Sequence, residues 1–419
     1  METPRANPLH LPCGGRIIFA ILFLLPFWLG AAELPGSAGK WISTWVSAQQ
    51  LTEPHNLPPP PGLGGRTIRQ IIQPTLAGNR LRVSFSNGYG EAPLTIASAH
   101  IARSTGADAI EPDSDTVLQF NGSSSVVIQP GTFILSDDVP FAVTPFENLS
   151  VSIHITSMPT NVTGHPGSRT TSFIEVGDAV SAPTMPNAVA VDHWYVLGSI
   201  EVWANPRSAA IVVIGDSITD GRGSTTNQND RWPNVLARRL NAQPATAHIA
   251  VLNQGAGGGR ILRDGLGTSA LGRFDRDVIA VPGVKWLVIF AGVNDIGTAV
   301  GARQKGEMMN IADDLIAGFR QMITRAHSHG IRVVGTTIMP FGGFTSYDTP
   351  RSEADRQVVN KWIRTSGEFD AVIDFDAITR DEASPSKLSS AVDGSDHLHP
   401  SAQGYKIMAR AIDVGIFAD

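Results

Sequence analysis

The chain is almost without cysteine. Its 419 residues include one, Cys13, so no intramolecular disulfide can form, and a buried core must hold the protein together. Cys13 lies within a proposed leader, so cysteine nucleophiles and thiolate metal sites are excluded from the rest of the chain. No long basic run is present, and the formal net charge is −6. Binding to phosphate backbones needs clustered Lys and Arg, so nucleic acid is excluded as the main partner. Beyond one short apolar run near the start, no stretch is long enough to cross a bilayer. There is no internal repeat, no long low-complexity linker and no conspicuous apolar lid of the kind a long-chain lipase would carry. What is present is the composition of a globular protein, 42% hydrophobic and 17% charged, in a chain long enough for two cores.

The first residues are patterned. Arg5 and Arg16 precede the apolar run Ile17–Leu29, which ends in Gly30-Ala31-Ala32. Positive, apolar and small residues in that order predict a secretory signal over residues 1–32, and hence a secreted or periplasmic protein without stable membrane association after cleavage. An uncleaved anchor is the rival reading, disfavoured by the shortness of the run and by Pro26 within it. The triplets at Asn121, Asn148 and Asn161 match the N-glycosylation pattern.

Two textures follow. Residues 33–205 read as an all-β accessory domain, a sandwich or jelly roll. Short runs such as Leu81-Arg82-Val83-Ser84-Phe85 and Leu149 to Ile155 alternate apolar and polar, and Asn87-Gly88, Asn121-Gly122 and Pro130-Gly131 mark turns between them. Tryptophan and tyrosine in this half read as core rather than as a sugar platform. Residues 206–419 differ. Continuous apolar runs at Ala210–Ile214, His248–Asn253, Lys285–Phe290, Ile331–Ile338 and Ala371–Phe375 fit strands buried on both faces. Between them, Ile311, Leu315, Ile316, Phe319, Met322 and Ile323 place one apolar face on a helix stopped by Gly330. Alternating strand and helix predicts an α/β fold with a parallel sheet under helices.

Open parallel sheets bind ligands beyond the carboxyl ends of their strands, and four polar blocks follow the predicted strands. Gly215-Asp216-Ser217-Ile218 comes first. Ser217 there is either a helix cap in a tight turn or a nucleophile that needs a base. Asn253 to Gly259 is the second block, where the backbone N–H of Gly258 can be approached closely. Gly292-Val293-Asn294-Asp295 is the third and offers an amide at Asn294. Asp396-His397-Leu398-His399 is the last. Its spacing lets the Asp396 carboxylate meet the His399 imidazole and fix its tautomer. The rivals are a turn-forming loop or a metal site using Asp396, His397 and His399, though no further ligand cluster is evident. With the Ser217 N–H, Gly258 and Asn294 would make a three-donor oxyanion hole.

The four blocks together resemble the GDSL-type, or SGNH, hydrolase superfamily, named for a Ser, a Gly, an Asn and a His. Ile218 stands where the name has Leu, and the Asp-x-x-His pattern selects His399 over His397. The resemblance spans about residues 206–419. It implies a flavodoxin-like α/β/α hydrolase domain, a Ser217–His399–Asp396 triad, an oxyanion hole of Ser217, Gly258 and Asn294, and ester hydrolysis through an acyl-enzyme with no metal or organic cofactor. Trp41-Ile42-Ser43-Thr44-Trp45 and Phe85 to Gly90 are similar to the β-domain preceding the hydrolase domain in one bacterial branch. The family acts on acetylated polysaccharides, short-chain and aryl esters, and lipids. The expected substrate is a small-molecule or polysaccharide ester, with acetyl or another short acyl group on carbohydrate. An acyltransferase using the same triad is one alternative. A non-catalytic carbohydrate-binding protein is the other; its signature, a missing catalytic residue, is not found.

Overall fold

Strand-forming, turn-punctuated sequence fills the first half of the chain and sheet–helix alternation the second, and a computed structural model resolves both patterns. It describes residues 39–307 and 309–418. The proposed leader and Cys13 lie outside the described residues.

The N-terminal region is mostly β and antiparallel. Lys40–Val46, Leu197–Ala204, Gly78–Ser86 and Val139–Val143 lie in that order in one sheet, with Phe133–Leu135 added on Gly78–Ser86. A second sheet runs Val189–Val191, Ser172–Val176, Arg66–Ile72, Leu149–Ser157, Leu94–Gly106. The alternation read from sequence sets the faces: Leu149, Val151, Ile153 and Ile155 join Leu81, Val83 and Phe85 in one core. The opposite face of the second sheet is not left to water. Arg69 is buried there, and its guanidinium donates to the carbonyls of Asp108, Val180 and Ala182, which satisfies a charge that would otherwise be costly to bury. Trp45, Trp194 and Tyr195 are buried in this core. The three Asn-x-Ser/Thr asparagines are exposed.

The second half holds five parallel strands in the order Ile249–Gly255, Ala209–Gly215, Val284–Phe290, Arg332–Thr336, Ala371–Ile373. In chain order that is 2-1-3-4-5, the flavodoxin-like arrangement. The chain turns one way after the first strand and the other way after the second. Right-handed crossovers therefore place the first helix on the face opposite the later ones. The helix pairs agree: Trp232–Asn241 packs on Ala402–Ala411, and Ile311–Ser328 packs on Pro350–Thr365.

The two regions share a seam. Lys40–Val46 lies against the edge strand Ile249–Gly255, which covers an edge that would otherwise invite pairing with another chain. Thr75 Oγ1 donates to Val251 O (3.3 Å) and accepts from Val251 N (3.1 Å), and Ser43 N donates to Pro282 O. Among the described residues no helix is long and apolar enough to cross a membrane.

Candidate active site

The first parallel strand ends at Gly215, and a four-residue helix, Ser217–Asp220, begins at once. Its cap is Asp216, not Ser217: the Asp216 carboxylate accepts from Ile218 N at 2.9 Å. Capping is thus done by the neighbour, which leaves the Ser217 hydroxyl free to face the sheet's carboxyl edge. Ser217 N–H has no partner among the described residues, as expected of a first-turn donor. Gly221, at φ +100°, ends the helix.

Ser217 Oγ lies 2.8 Å from His399 Nε2, and His399 Nδ1 lies 2.6 Å from Asp396 Oδ2. The other carboxylate oxygen accepts from the backbone N–H groups of Leu398 and His399, at 3.0 and 2.8 Å. The Asp-x-x-His loop is therefore closed by the aspartate before the helix Ala402–Ala411 begins. His397 takes no part. It is exposed, at φ +64°, and pairs with Asp393 at 2.7 Å. Among the described residues no group of three His, Cys, Asp or Glu could hold a metal ion.

Burial pushes the His399 imidazole down; Asp396 pulls it up, Arg222 and Arg169 press it down again, and the result lies below the ordinary histidine value of 6.5. Burial pushes the Asp396 carboxyl up, but the His399 and Leu398 N–H donors and the imidazole hold it below the usual carboxylate range. His399 stays largely neutral, able to take a proton, beside a carboxylate that stays ionised.

Gly258 follows the second strand with φ +65°, a conformation that glycine adopts without steric cost. A Cβ there would also press on Leu266. Its neighbour Gly259 spends its N–H on Ala256 O, whereas the Gly258 N–H has no partner among the described residues. Asn294 is buried just after Gly292, in the first turn of Val293–Gln304. Its Oδ1 accepts from Tyr347 Oη at 2.9 Å and one Nδ2 hydrogen goes to Gly259 O at 3.0 Å. The second amide hydrogen is left over. Tyr347 thus fixes which end of the amide faces the site, and nothing in the local sequence marks it.

Two buried carboxyls stand behind these groups. Asp295 accepts from Ile261 N and Leu262 N, tying the second block's loop to the third. Burial raises it to about 6 and raises Asp216 to about 7, so near neutral pH both carry less negative charge than free aspartates.

The groups open into a cleft of about 380 Å³. One wall holds Ser217, Gly258, Asn294, Leu398 and His399. The opposite wall comes from the β region, with Glu53, His55, Asn56, Pro166, Arg169 and His193. Beneath the meeting line His165 is fully enclosed. Its Nδ1 faces Ala48 O at 2.8 Å and its Nε2 faces Asp220 Oδ1 at 2.8 Å. The carbonyl can only accept, so Nδ1 donates to it.

Residues 213–407 match the GDSL-like Lipase/Acylhydrolase family. No curated protein matches the chain. Solved structures similar to it include a lipolytic protein of the G-D-S-L family from Desulfitobacterium hafniense DCB-2 (22% identity, 49% of this chain and 97% of that chain, TM-score 0.37). A GDSL-like lipase from Bacteroides thetaiotaomicron VPI-5482 (21%, 50% and 87%, 0.37) and a catalytic mutant of an acetylxylan esterase from Geobacillus stearothermophilus (20%, 50% and 95%, 0.37) are similar as well. The segment 213–407, which carries Ser217, Gly258, Asn294, Asp396 and His399, belongs to the GDSL-like lipase/acylhydrolase family of hydrolases.

Proposed function

We propose that the protein is a serine esterase that hydrolyses carboxylic esters through an acyl-enzyme. One observation carries this reading: the unbroken line Ser217 Oγ–His399 Nε2, His399 Nδ1–Asp396 Oδ2, at 2.8 and 2.6 Å, beside two unspent backbone donors and an unspent amide hydrogen.

His399 takes the Ser217 proton as Oγ adds to the ester carbonyl, and Asp396 steadies the imidazolium that forms. The developing oxyanion is held by the N–H groups of Ser217 and Gly258 and by the Asn294 amide. His399 then gives its proton to the leaving alcohol. Water, activated by the same imidazole, attacks the acyl-Ser217 ester, and the acid departs with Ser217 reprotonated. Every step uses groups of the chain itself.

The cleft's composition favours a short acyl group on a sugar-like alcohol. Its lining is mainly polar; Pro166, Leu266, Phe344 and Leu398 are its larger apolar members, too few to hold a long acyl chain out of water. A chain with the secretory signal proposed for residues 1–32 would meet such esters outside the cytoplasm.

Ser217→Ala should lower turnover of a chromogenic acetyl ester by roughly four orders of magnitude or more, with an unchanged thermal unfolding midpoint. Turnover retained within tenfold of the parent would sink the assignment.

A further inference from the structure

Opposite charges line the cleft in equal number, but its guanidiniums are not paired with its carboxylates. Two carboxylates line it, and neither is paired with a guanidinium. Glu53 accepts from Gln50 Nε2 at 2.8 Å and Asn56 Nδ2 at 3.1 Å. Asp220 is buried and paired with His165 through Oδ1, while its Oδ2 is buried beside Gly167 without a hydrogen-bond partner. Two guanidiniums also line it, Arg169 and Arg222. Neither has a side-chain hydrogen bond or ion pair among the described residues, and Arg169 Nε is buried without any partner. Behind Arg169 stands a third guanidinium, the buried Arg231. It is bonded to Asn234 Oδ1 and to the carbonyls of Ser168 and Asp220. Two guanidiniums thus line the cleft without a counter-ion, in a chain whose net charge is −6.

Both arginines are placed rather than loose. Arg169 sits at φ +51°, in the left-handed region that residues with a Cβ seldom adopt. It is held there by Asn227 N bonded to its carbonyl (2.9 Å) and by the Ser168–Thr170 turn. Arg222 directly follows the C-cap of the Ser217 helix; its N–H donates to Ser217 O and its carbonyl accepts from Tyr405 Oη at 2.7 Å. Non-glycine residues held in the left-handed region cluster where function requires them.

Both cations also bear on His399, the group that hands its proton to the leaving alcohol. Positive charge beside an imidazole that must itself become positive works against the support that Asp396 gives it, and an anion arriving with the substrate would offset that charge. We propose that Arg169, from the β region, and Arg222, from the turn after Ser217, form an anion subsite on the alcohol side of the ester, and that the natural ester carries a carboxylate there, as a uronic acid residue does. This inference rests on the esterase reading above. The planar guanidinium fork suits a carboxylate, and the bound anion would offset the charge that the imidazolium meets.

The test compares acetate release from acetylated oligogalacturonides with release from the same oligomers after methyl esterification of their carboxylates. The expected kcat/KM ratio is roughly tenfold or more in favour of the free carboxylates at low salt, shrinking as ionic strength rises. In the double variant Arg169→Gln, Arg222→Gln the ratio should fall towards one. Arg222 is exposed, so Arg222→Gln alone, expected to lower the ratio about threefold, serves if Arg169→Gln fails to fold. Calorimetry of Ser217→Ala with unacetylated oligogalacturonide separates this idea from the reading beneath it. Arginine-dependent binding without any ester turnover would keep the subsite and discard the esterase. Turnover of both oligomers at equal rates, or a ratio that ignores the arginines, would discard the subsite and keep the esterase. Faster release from acetylated sugar phosphates than from the galacturonides would overturn the carboxylate assignment.

Discussion

The two regions meet at one cleft but contribute to it differently. The parallel sheet supplies groups from the carboxyl ends of its strands: Ser217 after the first, Gly258 after the second and Asn294 after the third. The His399 loop is fastened on by its own aspartate. These groups are fixed by short local hydrogen bonds, such as Asp216 to Ile218 N and Asp396 to His399 N. The β region supplies side chains that are distant in sequence and held by tertiary contacts. His165 reaches Asp220 across 55 positions, and Arg169 is held by Asn227. The difference separates two tasks. Bond-making chemistry needs tight local geometry, whereas choosing a substrate needs only a wall of the right shape and charge.

The same difference explains what the sequence made legible. Apolar runs marked all five parallel strands, most clearly the inner ones buried on both faces; Ala210–Ile214 falls inside Ala209–Gly215, and Lys285–Phe290 inside Val284–Phe290, whereas the edge strand Ala371–Ile373 exposes Val372. The last run was read too long: Phe375 begins a helix capped by Asp374. Ser217, Gly258 and Asn294 were readable because each closely follows its strand, and Asp396 and His399 because their spacing lets carboxylate and imidazole meet. Asp216 as the cap was not, since Ser and Asp both cap helices well and only the fold shows which one does. Tyr347, Arg169 and the His165–Asp220 pair were also out of reach. Their roles depend on which distant segment packs beside them, and nothing periodic in the sequence records that. The tryptophans and tyrosines of the β region carried a weak signal: Trp45, Trp194 and Tyr195 are buried in the core, whereas Trp41, Tyr89 and Trp203 are only partly buried.

Three perturbations break or sharpen the comparison, the strongest at the seam. His165→Ala leaves the buried Asp220 carboxylate without its partner, so the protein should lose about 3–5 kcal/mol of stability, read as a lower urea midpoint. A loss under 1 kcal/mol would show that the two regions do not depend on this pair. Next come the groups of the sheet wall. Asn294→Ala should cut kcat by roughly a hundredfold or more. Tyr347→Phe removes only the hydroxyl that aims the amide and should cost about fivefold. Equal losses in the two variants would mean that the amide is not the acting group. The smallest effect is in pH. His399 must be neutral to act as base, and its value is held below 6.5, so the acid limb of kcat/KM should lie below that pH. Removing Arg169 and Arg222 takes away part of the downward push and should move the limb up. A limb above 6.5 in the parent protein would contradict the described environment of His399.

The central claim, that Ser217 is an activated nucleophile, is tested most directly by covalent capture. The intact protein is treated with a fluorophosphonate and examined by mass spectrometry after digestion. One adduct per chain, on the peptide containing Ser217 and lost in both Ser217→Ala and His399→Ala, is the predicted result. No adduct, or one on another residue, would contradict the account.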